Sequence, residues 1–246
     1  MYIDTHCHLE KKEYNVEEII KNIENNIIII SGYNDESNIE VIELIDKYPN
    51  VYGTIGIHPS DVKTSNIDII NKYVNHPKIV GIGEIGLDYH YGKEDIELQK
   101  EMFVKQINIA RKNNKPVVIH SRDASLDTLE IIKENSDVNY TMHCYSYSLE
   151  TANILLKYNV MFGIGGVVTF KNSKELKRVV ENIPITNILL ETDSPYLTPE
   201  PYRGEKNEPK NVLLVAEKIA ELKNMSKDEV LEITTKNAIN RYNIKR

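Results

Sequence analysis

Eight short runs rich in β-branched residues recur along this 246-residue chain, and amphipathic stretches separate most of them. Such alternation predicts an α/β fold with parallel strands, because parallel neighbours need a long crossover connection, usually a helix. Eight units within about 250 residues are typical of a (β/α)8 TIM barrel. We expect strands at residues 2–5, 27–31, 51–57, 79–84, 117–120, 140–143, 160–164 and 188–191.

Helices are predicted where apolar residues recur every three or four positions. The clearest spans residues 94–113, in which Phe103, Ile107 and Ala110 share one face. The barrel is expected to carry an additional C-terminal helix over residues 227–242, with Ser226 as its N-cap and Glu229 completing a capping box. The other predicted helices are residues 16–25, 36–48, 126–134, 149–158, 174–181 and 212–222.

Composition favours a single domain spanning residues 1–246. With 41% hydrophobic and 27% charged residues the chain can bury a large core, and no Gly/Ser linker or internal repeat divides it. The net charge of −7 argues against a broad basic surface that grips duplex nucleic acid, so an anionic substrate must be met locally. Because the apolar runs are too short for a bilayer and no signal segment is evident, we expect a cytoplasmic protein without membrane contact or an obligate protein partner.

Six residues with metal-ligand chemistry lie at or beside the ends of the predicted strands. They are His6, His8, Glu84, His120, His143 and Asp193. An apolar strand has no structural need for imidazole or carboxylate at its end, whereas a divalent ion needs several such groups brought together. Because the strands of such a barrel end at one face, we expect these side chains to converge there. For His6 and His8 taken alone, a solvated pair is the alternative.

Six ligands exceed the four that a tetrahedral zinc site needs. We therefore predict two divalent ions about 3.5–4 Å apart, with a carboxylate between them, and Glu84 is the candidate for that position. The ions are Mg, Zn or Mn, and the residue types leave their identity open. Four positive charges against two carboxylates make an electropositive centre suited to a phosphodiester.

Three further residues are predicted to contact substrate. His58 follows the third strand, and Arg122 lies two residues beyond His120, where its guanidinium can pair with phosphate oxygens. Arg203 lies on the long loop after the eighth strand, a common phosphate site in barrels. The alternatives are a surface ion pair between Arg122 and Asp123 and a solvated charge at Arg203.

Residues 81–86 read GIGEIG and match the G-x-G-x-x-G pattern of dinucleotide-binding turns. That pattern needs a helix to begin at once, so that its N-terminal amides can hold a pyrophosphate. Residues 87–92 are instead typical of an aromatic turn, which argues against dinucleotide binding. The glycines are expected to let the backbone pack closely around the metal site.

Six segments in chain order resemble the signature motifs of the TatD family of metal-dependent deoxyribonucleases, within the wider amidohydrolase-like barrels. They are DTHCHL (4–9), GIHP (56–59), GEIGLDY (83–89), HSRDA (120–124), HC (143–144) and ETDSPYLTP (191–199), and they span the chain. The ligand sets that the resemblance implies are His6, His8, Glu84 and Asp193 for one ion and Glu84, His120 and His143 for the other. It also implies that Asp193 orients or deprotonates the attacking water.

We therefore predict a divalent-metal-dependent hydrolase that cleaves phosphodiester bonds of DNA. The resemblance implies a TatD-type deoxyribonuclease acting as a 3′–5′ exonuclease, with Glu84 and Asp193 as catalytic residues. Glu205, where the family often has a basic residue, predicts weaker phosphate binding beside Arg203. A second hypothesis keeps the ions but cleaves an amide or ester such as a D-aminoacyl-tRNA linkage, because the same ions activate water against carbonyl carbons. A third treats the ions as structural and the barrel as a binding module.

Overall fold

Eight parallel strands pair in the order in which they occur along the chain in the computed structural model, which describes residues 1–90, 92 and 94–245. Helices connect most successive strands, so the architecture is the predicted (β/α)8 TIM barrel. The strands are β1 Ile3–Cys7, β2 Ile27–Ser31, β3 Val51–Ile55, β4 Ile79–Asp88, β5 Val117–Arg122, β6 Tyr140–Met142, β7 Val160–Ile164 and β8 Ile188–Leu190.

The helices pack around this sheet, and the predicted C-terminal helix is present. Its capping box is formed, since Ser226 Oγ accepts from the Glu229 N–H at 3.2 Å and Glu229 Oε2 accepts from the Ser226 N–H at 2.8 Å. Helix Asp68–Tyr73 was not predicted, because it is short and buries only Ile70, which leaves no periodicity to detect. The helices are α1 Val16–Ile23, α2 Asp35–Lys47, α3 Asp68–Tyr73, α4 Ile96–Lys112, α5 Ser125–Glu134, α6 Leu149–Leu155, α7 Lys174–Asn182, α8 Val212–Lys223 and α9 Lys227–Tyr242.

Strand β4 is longer than predicted. It continues to Asp88, so Glu84 lies within the strand, and the prediction of a turn from residue 87 onward is wrong for Leu87 and Asp88. Gly86 makes the extension possible, because its φ is 144° and a Cβ there would lie 2.0 Å from the main-chain oxygen of His120 on β5. Tyr91, also part of the predicted turn, lies outside the described residues.

Main-chain hydrogen bonds join β1 to the segment that follows β8. The Asp193 N–H donates to the His6 oxygen at 2.9 Å, and the His8 N–H donates to the Ser194 oxygen at 2.7 Å. The hydroxyl of Thr5 adds a bond to the Leu190 oxygen at 2.9 Å. These hydrogen bonds bring the first predicted ligands of the chain, His6 and His8, close to the last, Asp193.

Apolar side chains fill the barrel interior at the end where the strands begin. The residues of this buried cluster are Ile3, Ile27, Ile29, Val80, Val118, Met161, Leu189, Ala238, Tyr242 and Ile244. Most lie within the first two residues of their strands. The last three belong to α9 and the residues after it. The carboxyl-terminal end of the barrel is thereby left for polar groups, as in other barrels of this kind.

No helix in the described part of the chain has both the length and the apolar character that a membrane span requires.

Candidate metal centre

Four predicted ligands from β1, β4 and the segment after β8 meet at one point. His6 Nε2 lies 3.4 Å from Glu84 Oε2 and 3.8 Å from Asp193 Oδ1. His8 Nε2 lies 3.5 Å and 3.6 Å from the same two oxygens. His6 and His8 therefore project from one face of β1, as expected from their spacing of two. We call these four residues the first ligand group.

The second oxygen of Glu84 faces a different pair of histidines. Glu84 Oε1 is 2.8 Å from His120 Nδ1 and 3.0 Å from His143 Nε2. Glu84, His120 and His143 form the second ligand group. Because one carboxylate oxygen faces each group, Glu84 is the residue that joins the two ligand groups.

The donor atoms of the first ligand group fit a divalent ion. Ligand atoms placed tetrahedrally about 2.1 Å from one ion are about 3.4 Å apart, close to the separations between the histidines and Glu84. Among the described residues, His6 Nε2 is also buried without a hydrogen-bond partner. A buried polar atom of this kind calls for a ligand, and a cation between the histidines and carboxylates would supply it.

Charge at the centre favours ionised carboxylates. Burial alone would raise the pKa of Glu84, but the histidines, His143 and His120 above all, hold it well below its usual value. The pKa of Asp193 is likewise lowered, because His8 and its neighbours outweigh burial. Burial lowers the pKa of His6, so its ring stays neutral and keeps a lone pair for a metal.

The outward nitrogens of the histidine rings are held by groups that sequence reasoning missed. His8 Nδ1 is 2.9 Å from the main-chain oxygen of Ser31, so it carries the proton and leaves Nε2 free to bind. His6 Nδ1 lies 3.0 Å from Ser31 Oγ. His120 Nε2 lies 3.0 Å from Asp88 Oδ2. Asp88 is four residues beyond Glu84, and the extension of β4 is what places it there.

Glu191, which follows β8, lies beside His143 inside the barrel, but His143 Nδ1 is buried without a hydrogen-bond partner among the described residues. Its carboxylate is fully buried, and Oε1 accepts from the Cys144 N–H at 2.6 Å and lies 3.6 Å from His143 Nδ1. Its second oxygen, Oε2, has no hydrogen-bond partner in the part of the chain that the structure describes. Gly163 on β7 leaves the space, because a Cβ there would lie 2.0 Å from Oε2.

Asp4 on β1 positions the last ligand. It is fully buried, and its carboxylate accepts from the Thr192 N–H at 3.0 Å and from the Thr192 hydroxyl at 2.6 Å. The following residue, Asp193, has a φ of 53° in the left-handed region. Aspartate tolerates that conformation better than most residues, and the bonds through Thr192 hold the turn that points Asp193 at the histidines.

Two cavities flank the cluster. One, of about 400 Å³, has apolar walls that include Val167, Leu176 and Leu197. The other, of about 460 Å³, is lined mainly by residues with polar or charged groups, among them Asp61 and Asp88. The residues common to both are His120, Arg122, His143, Asp193 and Tyr196. Tyr196 is 60% exposed and was not singled out from the sequence, because an exposed tyrosine carries no spacing signal.

The structure brings two of the three predicted substrate residues to this cleft. His58 Nε2 is 3.8 Å from Glu84 Oε1, and burial lowers the pKa of His58 to about 4. Arg122 lines both cavities. Arg203 is elsewhere, since its guanidinium stacks on Phe170 at 4.2 Å and it lines neither cavity. Its predicted contact with substrate is therefore not supported by its position.

A barrel that carries a histidine and carboxylate cluster at the carboxyl ends of its strands is that of a metal-dependent hydrolase. The family model described as TatD related DNase matches residues 3–243. The uncharacterized metal-dependent hydrolase YabD of Bacillus subtilis (strain 168) is 42% identical over 248 residues, which cover 97% of each chain. YcfH of Escherichia coli (strain K12), described in the same words, is 33% identical and covers 98% of this chain and 96% of its own. The chain belongs to the TatD family, which confirms the resemblance.

Solved structures show the same fold. The crystal structure of YjjV, a TatD homolog from Escherichia coli K12, superposes with a TM-score of 0.91 at 24% identity and covers 99% of this chain and 98% of that one. A β-aspartyl dipeptidase from Fervidobacterium islandicum AW-1 has a TM-score of 0.65 at 15% identity over 99% of this chain and 75% of that one. The likeness to this dipeptidase is one of fold.

Proposed function

We propose that this hydrolase cleaves phosphodiester bonds of DNA as a 3′–5′ exonuclease acting in the cytoplasm. The observation that carries the proposal is Glu84, one oxygen of which faces each ligand group while Arg122 lies in the same cleft. Two divalent ions (Mg, Zn or Mn), when bound, polarise a phosphoryl oxygen and lower the pKa of water. The cleft then offers positive charge at a single place on an acidic protein.

Glu84, Asp193 and Arg122 have different roles in this reaction. Glu84 holds both ligand groups in register, because its two oxygens belong to different groups. Asp193 directs Oδ1 at His6 and His8, so Oδ2 remains to orient the attacking water and accept its proton. Arg122 pairs with a neighbouring phosphate oxygen and fixes the bond to be cleaved.

The test compares Glu84→Gln and Asp193→Asn with the wild type on 3′-labelled and 5′-labelled DNA, with Mg, Mn or Zn added. We expect both variants to lose metal-dependent cleavage while their circular dichroism spectra stay unchanged. Glu101→Gln, at an exposed carboxylate on α4, is the matched control and should cleave normally. Normal cleavage by either centre variant would contradict the proposal, and product sizes would decide between terminal and internal cutting.

Hydrolysis of an amide or ester, such as an aminoacyl-tRNA linkage, is the second candidate. One observation favours it: the cavity beside the centre has apolar walls at Val167 and Leu176, which suit an apolar acyl or side-chain group better than a phosphate. Parallel assays on DNA and on aminoacyl esters separate the candidates. Dominant turnover of the carbonyl substrate would replace the nuclease assignment.

A further inference from the structure

A cavity of about 590 Å³ lies at the opposite end of the barrel from the metal centre. Its walls come from the residues just before β4, β5 and β6 and from the end of α9. The predicted ligands lie towards the carboxyl ends of strands, so this cavity belongs to the other face. We call it the basal cavity and define it by Lys78, Lys115, Asn139, Arg241 and Lys245.

The basal cavity is positively charged in a protein whose net charge is −7. Four of its lining residues are cations, and no described lining residue is acidic. Such a local concentration of one sign of charge in a concave surface attracts an opposite charge more strongly than the same residues on a convex surface would.

Three of the four cations are partly buried without a carboxylate that compensates the burial. Burial alone lowers the pKa of Lys115. Burial also lowers the pKa of Lys78 and of Arg241, against weaker opposition from Asp46 and Tyr242 respectively. Desolvation of a charge is unfavourable unless a partner replaces the lost water, so the cavity is short of negative charge.

Arg241 provides an independent geometric sign of a missing partner. Its Nη2 donates to the main-chain oxygen of Asn159 at 2.9 Å. Its Nη1 is buried and has no hydrogen-bond partner among residues 1–90, 92 and 94–245. An orphaned guanidinium nitrogen is rare in folded proteins, because leaving a buried charged donor unsatisfied is costly.

Capping of main-chain carbonyls explains part of this arrangement but not all of it. Lys78 Nζ donates to the oxygens of Ile45 and Tyr48, and Lys115 Nζ donates to that of Ile79. Lys223 does the same at the oxygens of Glu181 and Ile183, and it lies outside the basal cavity. Capping therefore accounts for single lysines, but it does not account for four cations around one cavity with no described acid among its lining residues.

We propose that the basal cavity binds a phosphate-bearing anion, with the phosphate against Lys115 and Arg241. A guanidinium and an ammonium together match the charge and the acceptor oxygens of a phosphate group. The volume falls within the range of small-molecule sites, and Asn139 and Asn240 also line the cavity. The chemistry is shared by free phosphate and by a nucleoside monophosphate.

The test is isothermal titration of the metal-loaded protein with inorganic phosphate, with dAMP and with deoxyadenosine, at constant ionic strength. Lys115→Met and Arg241→Gln each remove a cation from the cavity, and Lys223→Met removes a lysine that caps carbonyls elsewhere. We expect saturable binding of phosphate or dAMP that weakens about tenfold or more in the first two variants. Lys223→Met should bind as the wild type does. Because the metal centre also takes phosphate groups, only the binding that Lys115→Met and Arg241→Gln weaken is assigned to the basal cavity.

The two ligand sources are distinguished by the same titrations. Tighter binding of dAMP than of inorganic phosphate assigns the site to a nucleotide, and equal binding assigns it to the phosphate alone. The proposal is overturned if neither anion binds saturably at millimolar concentration, if deoxyadenosine binds as well as dAMP, or if Lys223→Met weakens binding as much as Lys115→Met. If Arg241→Gln fails to fold, Lys115→Met decides.

Discussion

Replacing Glu191 by Gln tests whether a carboxylate buried inside the barrel positions a metal ligand. The substitution keeps the volume and leaves an oxygen able to accept from the Cys144 N–H, but it removes the negative charge 3.6 Å from His143 Nδ1. Two unit charges at that distance interact by about 4–5 kcal/mol at an effective dielectric constant of 20. That figure is a ceiling, because the His143 ring carries only part of a charge when it binds a metal.

Loss of a carboxylate that supports a metal-binding histidine typically lowers metal affinity about 10–100-fold. We therefore expect Glu191→Gln to weaken metal binding at the second ligand group by that factor and to leave the first group unchanged. Turnover should fall in parallel and recover when more metal is added. Stability of the metal-free protein should fall modestly, because the buried His143 ring loses one of the two carboxylates beside it.

The assay is a competition titration of Zn²⁺ or Mn²⁺ against a chromogenic chelator, together with thermal unfolding of the metal-free protein. Glu97→Gln, at an exposed position on α4, serves as the control. Gly163→Ala should act in the same direction as Glu191→Gln, because its Cβ would displace the carboxylate. Unchanged metal affinity in Glu191→Gln, or a loss explained by unfolding, would refute the positioning role.

Three more predictions concern substrate contacts and stability. Arg122→Ala should raise KM for DNA several-fold while Arg203→Ala, whose guanidinium stacks on Phe170, should not, and equal effects in steady-state assays would contradict this difference. Ile107→Ala removes a fully buried side chain of α4 and should lower the free energy of unfolding by about 2–5 kcal/mol in urea titrations. Ser226→Ala breaks the capping box of α9 and should cost about 0.5–2 kcal/mol, whereas no loss would mean that the N-terminus of α9 is held by packing alone.

The order of elements and the convergence of the ligands follow from the sequence alone. Alternating strands and helices in this number leave few arrangements other than a barrel, and parallel strands end at one face. Ligand-type residues near those ends, such as His6 and His143, are therefore expected to lie close together. The spacing of two between His6 and His8 also sufficed to place both on one face of β1.

Other features were decided only by the tertiary structure, because they depend on distances between side chains of elements that are remote in sequence. The length of β4 follows from the fit of Gly86 against β5, and the support of His143 by Glu191 depends on the space at Gly163. Arg203 lies on the predicted loop, but its guanidinium stacks on the ring of Phe170, and this packing fixes the position of its charge. Sequence periodicity reports which face a residue occupies, whereas register and side-chain packing determine what that residue touches.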